Sequence, residues 1–278
     1  VVSEIFKDLT LKKPMNRLLE GDVGSGKTVV SAIAMFLSFL NGFQSVLMAP
    51  TEILAQQHYK TISSLLEPFG IKVDLITGNK KSKIKNQKFD VLIGTHALLY
   101  GKINFERLGF VVIDEQQRFG VEQRSIIRSK GKNPHLLTMT ATPIPRTIAL
   151  TLYGDLDLSI LDEMPIGRKA IKTWLVPPEK RLNAYSWIEK QIKQTKSQVF
   201  IVCPFIEESE TMQTVKAASK EFEYLKKEIF KNLKLGLLHG KLKAKEKDKV
   251  LGDFRDRKID ILVATPVVEV GIDIPNAT

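Results

Sequence analysis

One octapeptide near the start of the chain, Gly21-Asp22-Val23-Gly24-Ser25-Gly26-Lys27-Thr28, limits the possible folds more than any other stretch. It fits the spacing G-x-x-x-x-G-K-[ST], in which a glycine-rich turn joins a strand to a helix. Arg17–Glu20 before it reads as a short strand, and Thr28–Asn41 after it as a helix stopped by Gly42. Gly21, Gly24 and Gly26 allow successive backbone N–H groups to turn inward, and the helix N-terminus adds partial positive charge. Such a loop cradles phosphate. Lys27 is placed to reach the β- and γ-phosphates, and the Thr28 hydroxyl to bind Mg²⁺. The chain is expected to bind a nucleoside triphosphate.

The rest of the sequence repeats the strand-then-helix alternation. Further strands are expected at Ser45–Ala49, Lys72–Ile76, Phe89–Ile93, Phe110–Ile113 and Leu136–Met139, with a helix after Thr51, whose hydroxyl suits an N-cap. These runs are rich in Val, Ile and Leu without strict alternation, which predicts strands buried on both faces of a parallel sheet. Asn79 to Lys88, with its five lysines, reads as an exposed loop or short helix. Pro165, Gly167, Pro177 and Pro178 mark a linker around one possible strand, Ile171–Val176. The alternation then resumes with helix Glu179–Thr195, strand Gln198–Cys203, helix Thr211–Asn232, strand Leu235–His239, helix Lys245–Asp256 and strand Ile259–Ala264. The expected organisation is a first α/β domain over 1–161, a linker over 162–178 and a second domain over 179–278. Two successive α/β halves stand out, with no internal sequence repeat.

At 278 residues the chain can bury two cores, and it has no apolar run long enough to span a membrane. No signal peptide is visible, and the start at Val1 reads as a fragment or processed product. Cys203 is the single cysteine, which excludes an internal disulfide and a thiolate zinc site and suits a reducing cytosol. Within Val199–Cys203 it reads as a packed core thiol. The net charge of +11 favours a polyanionic partner. Lys241, Lys245 and Lys249 share one face if their helix begins early, which would offer a stripe to nucleic acid.

A second constellation closes the strand Val111-Val112-Ile113, where Asp114 and Glu115 follow as adjacent carboxylates. In phosphate-loop enzymes an aspartate at such a strand end holds Mg²⁺ beside the loop hydroxyl, and its neighbour orients the attacking water. Asp114 is therefore the candidate metal ligand and Glu115 the candidate water-positioning acid. Ala49-Pro50-Thr51 and Gly94-Thr95-His96 each sit where a strand runs into a helix, able to take a phosphate. His96 and His239 lack an evident catalytic partner and read as polar or packing residues.

Asp114-Glu115-Gln116-Gln117 resembles the DExx box of superfamily 2 helicases, and Thr140-Ala141-Thr142-Pro143-Ile144-Pro145-Arg146-Thr147 resembles their third motif. With Leu152–Asp157, Gly167-Arg168-Lys169, Leu237–Lys241 and Ile261–Asn276, the chain is similar over nearly its whole length to the RecG family of branched-DNA helicases. The resemblance implies two RecA-like domains and an ATP-dependent, Mg²⁺-requiring motor on branched or forked DNA in repair and recombination. It also implies a cytosolic protein, monomeric at full length. It places Pro50, Thr51, Thr95, His96 and Thr265 on the DNA backbone. It assigns coupling of the nucleotide to DNA to Gln117, Thr140, Thr142, Arg146 and Glu269, and nucleotide sensing from the second domain to Gly271 and Asp273. Two other readings stay open: a transcription-repair coupling translocase on double-stranded DNA, and a non-catalytic fragment that binds nucleotide and nucleic acid.

The sequence departs from the family at Gln117, where histidine is usual, and at Pro266, where threonine is usual. Glutamine can bridge by hydrogen bonds but carries no charge, and proline has no N–H to offer a phosphate. By the same resemblance the chain begins after the adenine-contacting glutamine motif and ends before the sixth motif and its arginine finger. The second domain is then expected to be incomplete and hydrolysis by this chain weak.

Overall fold

The apolar runs of the first half become neighbouring strands of one sheet. In a computed structural model, which describes residues 1–78, 88–100, 103–142, 156–163, 171–203, 211–265 and 277, the chain divides into two units, Val1–Arg168 and Lys169–Thr278. In the first unit the strands are β1 (Asn16–Gly21), β2 (Gln44–Met48), β3 (Val73–Ile76), β4 (Val91–Gly94), β5 (Leu108–Ile113), β6 (His135–Thr140) and β7 (Asp157–Leu161). Their order is β3-β4-β2-β5-β6-β1-β7, and every neighbouring pair is parallel. Only β7 lacks a counterpart among the expected strands. It lies at the sheet edge beside β1, where its residues are mostly exposed or half-buried and give a weak apolar signal.

Side chains alternate across the sheet and are buried on both sides. On β2 and β5, Leu47, Phe110 and Val112 enter one core, while Val46, Val111 and Ile113 enter the other. The first core is covered by α1 (Val2–Leu9), α2 (Lys27–Leu40) and α3 (Glu52–Leu66), through residues such as Ile5, Met35 and Ile62. The second is covered by α4 (Ala97–Tyr100) and α5 (Val121–Ser129), through Leu98, Leu99 and Ile127. A parallel sheet sealed on both faces is what the uninterrupted Val/Ile/Leu runs require. Arg17 crosses this core as a buried cation. Its Nε donates to Asp8 Oδ2 at 2.7 Å and its Nη1 to Ser159 Oγ at 2.8 Å, which ties α1 and β7 to β1.

His135, at the start of β6, accepts the Met15 N–H through Nδ1 at 3.0 Å. Burial lowers its pKa, with Asp8 opposing. The unfolded chain therefore takes up a proton first as pH falls. The neutral ring's contribution is complete above about pH 6.5 and is lost as pH drops toward the folded pKa. Urea midpoints measured from pH 7.5 to 5 should fall more steeply for the native chain than for His135→Asn. Parallel profiles would remove this contribution.

The second unit holds β8 (Val199–Val202), β9 (Leu235–Leu238) and β10 (Ile261–Ala264) in a parallel sheet ordered β8-β10-β9. Helices α6 (Arg181–Thr195), α7 (Thr211–Tyr224) and α8 (Ala244–Arg255) accompany it. Tyr185, Ile192, Leu225, Phe230, Ile261 and Val263 form its core, and Cys203 packs partly buried at the margin, where burial raises its thiol pKa.

Three expectations need correction here. Ile171–Val176 forms no strand; Ile171 and Leu175 are 79% and 98% exposed, and no strand among the described residues pairs with the segment. The helix expected over Thr211–Asn232 is α-helical only to Tyr224, after which a π-helical turn, Leu225–Ile229, tucks Leu225 into the core. Helix α8 starts at Ala244, so Lys241 lies outside it and the stripe with Lys245 and Lys249 does not form.

The structure also reveals an internal repeat that sequence inspection misses. Lys88-Phe89-Asp90-Val91-Leu92-Ile93-Gly94-Thr95 and Lys258-Ile259-Asp260-Ile261-Leu262-Val263-Ala264-Thr265 occupy equivalent places. Each leads into the middle strand of a β-trio, β3-β4-β2 or β9-β10-β8. Asp90 Oδ2 accepts the Lys72 N–H and Asp260 Oδ2 the Lys234 N–H, both at 2.8 Å. The two aspartate carbonyls accept from Ser45 and Val199, the first residues of the pairing in β2 and β8. Residues 79–87, the third motif from 143 to its end and the segment 266–276 lie outside the described residues.

Candidate nucleotide and nucleic-acid site

Strand order brings the chemistry together. The glycine-rich loop follows β1, the acid pair follows β5, and Thr140 ends β6, the strand between them. Adjacent parallel strands lie about 4.8 Å apart, so three neighbouring strands deliver all these groups to one carboxyl edge within roughly 10 Å. That edge is where open α/β sheets bind ligands.

The loop is built for close approach. Gly24 and Gly26 take φ of 84° and 101°, a region open to glycine and costly for other residues. Gly21 has no room for a side chain: a Cβ there would lie 2.6 Å from Ser25 Oγ and 2.9 Å from Leu161 Cβ. The Ser25 hydroxyl is buried with no hydrogen-bond partner among the described residues, an orphan that a phosphate oxygen would satisfy. Lys27 folds back over the loop, donating to Gly21 O at 2.6 Å and Asp22 O at 2.9 Å. Burial lowers its pKa, while the negative charges of Asp114, Glu115 and Asp22 oppose the shift. Those opposing charges place the lysine and the acid pair in one electrostatic neighbourhood. Thr28, half-buried, lies in the first turn of α2.

Asp114 and Glu115 are buried at 6% and 4% exposure. Glu115 adopts φ 49°, ψ 57°, a left-handed conformation rare outside glycine, which turns the chain sharply off β5 into a 3₁₀ turn, Gln116–Arg118. Burial raises the Glu115 pKa. The hydrogen bond from Gln117 lowers it, Asp114 raises it further, and the Ala141 backbone and Lys27 oppose the rise. A carboxyl shifted upward is a better proton acceptor near neutral pH.

Gln117 spans the site. Its Nε2 donates to Glu115 Oε2 at 2.8 Å, and its Oε1 accepts from Thr140 Oγ1 at 3.3 Å. Thr140 Oγ1 also lies 2.9 Å from Thr142 Oγ1 and accepts the Thr142 N–H at 3.2 Å. An uncharged glutamine thus makes the bridge from the acid pair to the end of β6.

One residue of this neighbourhood carries no sequence signal. His58, buried on α3, places Nε2 at 2.6 Å from Asp114 Oδ2. Its partner lies 56 residues away, and its position on an apolar helix stripe makes it look like a core residue.

No group of three or more His, Cys, Asp and Glu residues able to hold a metal occurs among the described residues. Mg²⁺ keeps several waters and takes phosphate oxygens with one or two protein ligands, so a single buried carboxylate can serve it. The buried adjacent carboxylates beside a lysine, together with the orphaned Ser25 hydroxyl, fit a dication bound with phosphates.

Two further strand ends lie on the other side of β5. β2 runs into Pro50 and Thr51, and its neighbour β4 into Thr95 and His96. Thr51 Oγ1 caps α3, accepting the Leu54 N–H at 3.3 Å, which leaves its own O–H free to donate. Thr95 is buried, and the His96 ring packs 5.0 Å from Phe119. In the second unit Thr265 follows β10, its hydroxyl buried without a partner among the described residues. His239 is half-buried; burial and then Lys247 and Lys241 lower its pKa. Arg146, Pro266, Glu269, Gly271 and Asp273 lie outside the described residues.

The parallel sheet, with a glycine-rich phosphate loop and a buried acid pair at its carboxyl edge, defines the phosphate-loop class of nucleotide-binding proteins. A family model described as DEAD/DEAH box helicase matches residues 3–151, and one for the helicase conserved C-terminal domain matches 183–278. The chain belongs to the DEAD/DEAH box helicase family.

Within that family it groups with the RecG helicases. It is 49% identical to the ATP-dependent DNA helicase RecG of Synechocystis, over 100% of this chain and 34% of that protein. With RecG of Thermotoga maritima the identity is 49%, over 99% of this chain and 36% of the relative. A solved structure of RecG bound to a three-way DNA junction superposes with a TM-score of 0.75 at 45% identity, covering 99% of this chain and 36% of that one. S. cerevisiae Dbp5 bound to RNA and ADP BeF3, at 20% identity and TM-score 0.75, shares the fold over 100% of this chain and 72% of that one. The chain thus spans about a third of the length of the RecG proteins it matches. No described helix is long and apolar enough to cross a membrane.

Proposed function

We propose that this chain is the ATP-driven motor core of a RecG-type helicase acting on branched or forked DNA, in the cytosol, in repair and recombination. The observation that carries this reading is the meeting of an intact phosphate loop with a buried acid pair at one sheet edge, in a chain nearly half identical to RecG throughout. In this reading the first domain runs over 1–161, a linker over 162–178 and the second domain over 179–278.

Gly21, Asp22, Gly24, Ser25 and Gly26 wrap the phosphates and Lys27 neutralises them. Thr28 and Asp114 would hold Mg²⁺, which would supply screening of the charge on the transferred phosphoryl group. Glu115 orients the hydrolytic water. Gln117, Thr140 and Thr142 relay the state of the acid pair to the end of β6, with Arg146 and Glu269 completing the coupling and Gly271 and Asp273 sensing nucleotide. Pro50, Thr51, Thr95, His96 and Thr265 take DNA phosphates. The neighbouring ends of β2 and β4 support this, since Thr51 and Thr95 follow adjacent parallel strands at the same edge of the sheet.

The test is ATP hydrolysis with and without three-way-junction DNA. Made in the full-length protein, Glu115→Gln should retain ATP affinity while lowering turnover by about 10²-fold or more, the scale of a lost general base. Hydrolysis by Glu115→Gln at the native rate would remove Glu115 from its role. Binding of ATP and DNA with no stimulated turnover in a chain extended past Thr278 would favour the non-catalytic reading.

A further inference from the structure

We infer that His58 is a positioning residue for Asp114, holding the carboxylate in the orientation that Mg²⁺ binding requires. The inference rests on the proposed assignment of Asp114 as metal ligand.

A carboxylate oxygen only accepts, so at 2.6 Å the His58 Nε2 must carry the proton and donate. The bond ties Oδ2 to α3 and leaves Oδ1 as the oxygen His58 does not engage. Both side chains are only 8% exposed, so little water competes for the bond. Carboxylates that bind metals are commonly oriented by such outer hydrogen bonds.

Packing alone does not explain the residue. His58 lies on the buried stripe of α3 between Leu54 and Ile62, at the four-residue spacing that continues to Leu66. An apolar side chain would satisfy that stripe without the cost of burying an imidazole and a carboxylate. The pairing makes sense where the carboxylate is needed and must be held. It also connects two proposed sites, because Thr51, the N-cap of the same helix, stands at the DNA-facing strand end. A shift of α3 on binding DNA would be felt at Asp114 through this one bond.

The test measures binding of a fluorescent, non-hydrolysable ATP analogue to the 278-residue chain across a Mg²⁺ titration. His58→Leu should raise the Mg²⁺ needed for half-maximal affinity about 10- to 100-fold, the usual scale for losing an outer-shell partner. His58→Gln, which keeps an N–H donor, should recover most of that loss. Equal losses in both variants would assign the effect to packing and overturn the inference. Native Mg²⁺ dependence in His58→Leu would overturn it too, with the metal assignment standing if Asp114→Asn loses the dependence. If Asp114→Asn keeps native Mg²⁺ dependence, the metal assignment falls and the inference with it.

A measurement on the unaltered chain covers the case where His58→Leu does not fold. The imidazole NMR signals of His58 should move when Mg²⁺ is added to the nucleotide-bound chain and return with chelator. Signals indifferent to Mg²⁺ would refute the positioning role.

Discussion

Lys27→Ala should abolish the thermal stabilisation that ATP with Mg²⁺ gives the native chain. At nucleotide a hundredfold above its Kd, that stabilisation is worth about 2.7 kcal/mol. The lysine is partly buried and its ammonium is held by two loop carbonyls, Gly21 O and Asp22 O, close to where phosphates would lie. Truncation removes the charge without opening a cavity in either core. Some loosening of the loop is expected in the absence of nucleotide, on the order of 1 kcal/mol for lost hydrogen bonds. The informative quantity is therefore the nucleotide-induced shift within each variant. An equal shift in native and variant chains would dismiss the phosphate assignment.

The largest stability effect should come from Phe110→Ala. Phe110 lies on β5, near the middle of the seven-stranded sheet, with no exposed surface. It packs in the core beneath α2 and α3, and such truncations cost about 3–5 kcal/mol once the cavity is counted. Domains of this size are stable by roughly 5–15 kcal/mol, so the variant would retain only part of its margin. Urea denaturation of the first unit should show a reduced midpoint with little change in slope. Because β5 leads directly into Asp114 and Glu115, ATP affinity should fall with it. A loss below about 1 kcal/mol would mean that the core collapses around the gap.

The legible parts of this molecule are those with local signatures. The glycine-rich loop is read from fixed spacing within eight residues, and the strands of the first sheet from apolar runs buried on both faces. The acid pair is read from its place at a strand end. What escapes is whatever depends on distant partners. His58 gains meaning only because α3 crosses the sheet face next to the end of β5. Ile171–Val176 has strand-like composition, but a strand needs a neighbour to bond to, and this segment lies exposed. The extra edge strand β7 shows the converse, since pairing with β1 makes a strand of a weakly apolar stretch. The bridging action of Gln117 could be anticipated in kind; its partners required the conformation of Glu115.

The repeated strand entry at Asp90 and Asp260 bears on how such a chain would read its substrate. Each copy ends in a threonine, Thr95 or Thr265, whose backbone N–H is anchored to the preceding strand of its sheet. A nucleic-acid strand is itself periodic, presenting the same phosphate at every step whatever the base. Under the proposed function, a protein that carries the same strand entry twice would meet that polymer with two alike contacts, each suited to any nucleotide. If Thr95 and Thr265 take DNA phosphates as proposed, indifference to base sequence would follow from that repetition alone, since neither copy would need to tell one nucleotide from the next.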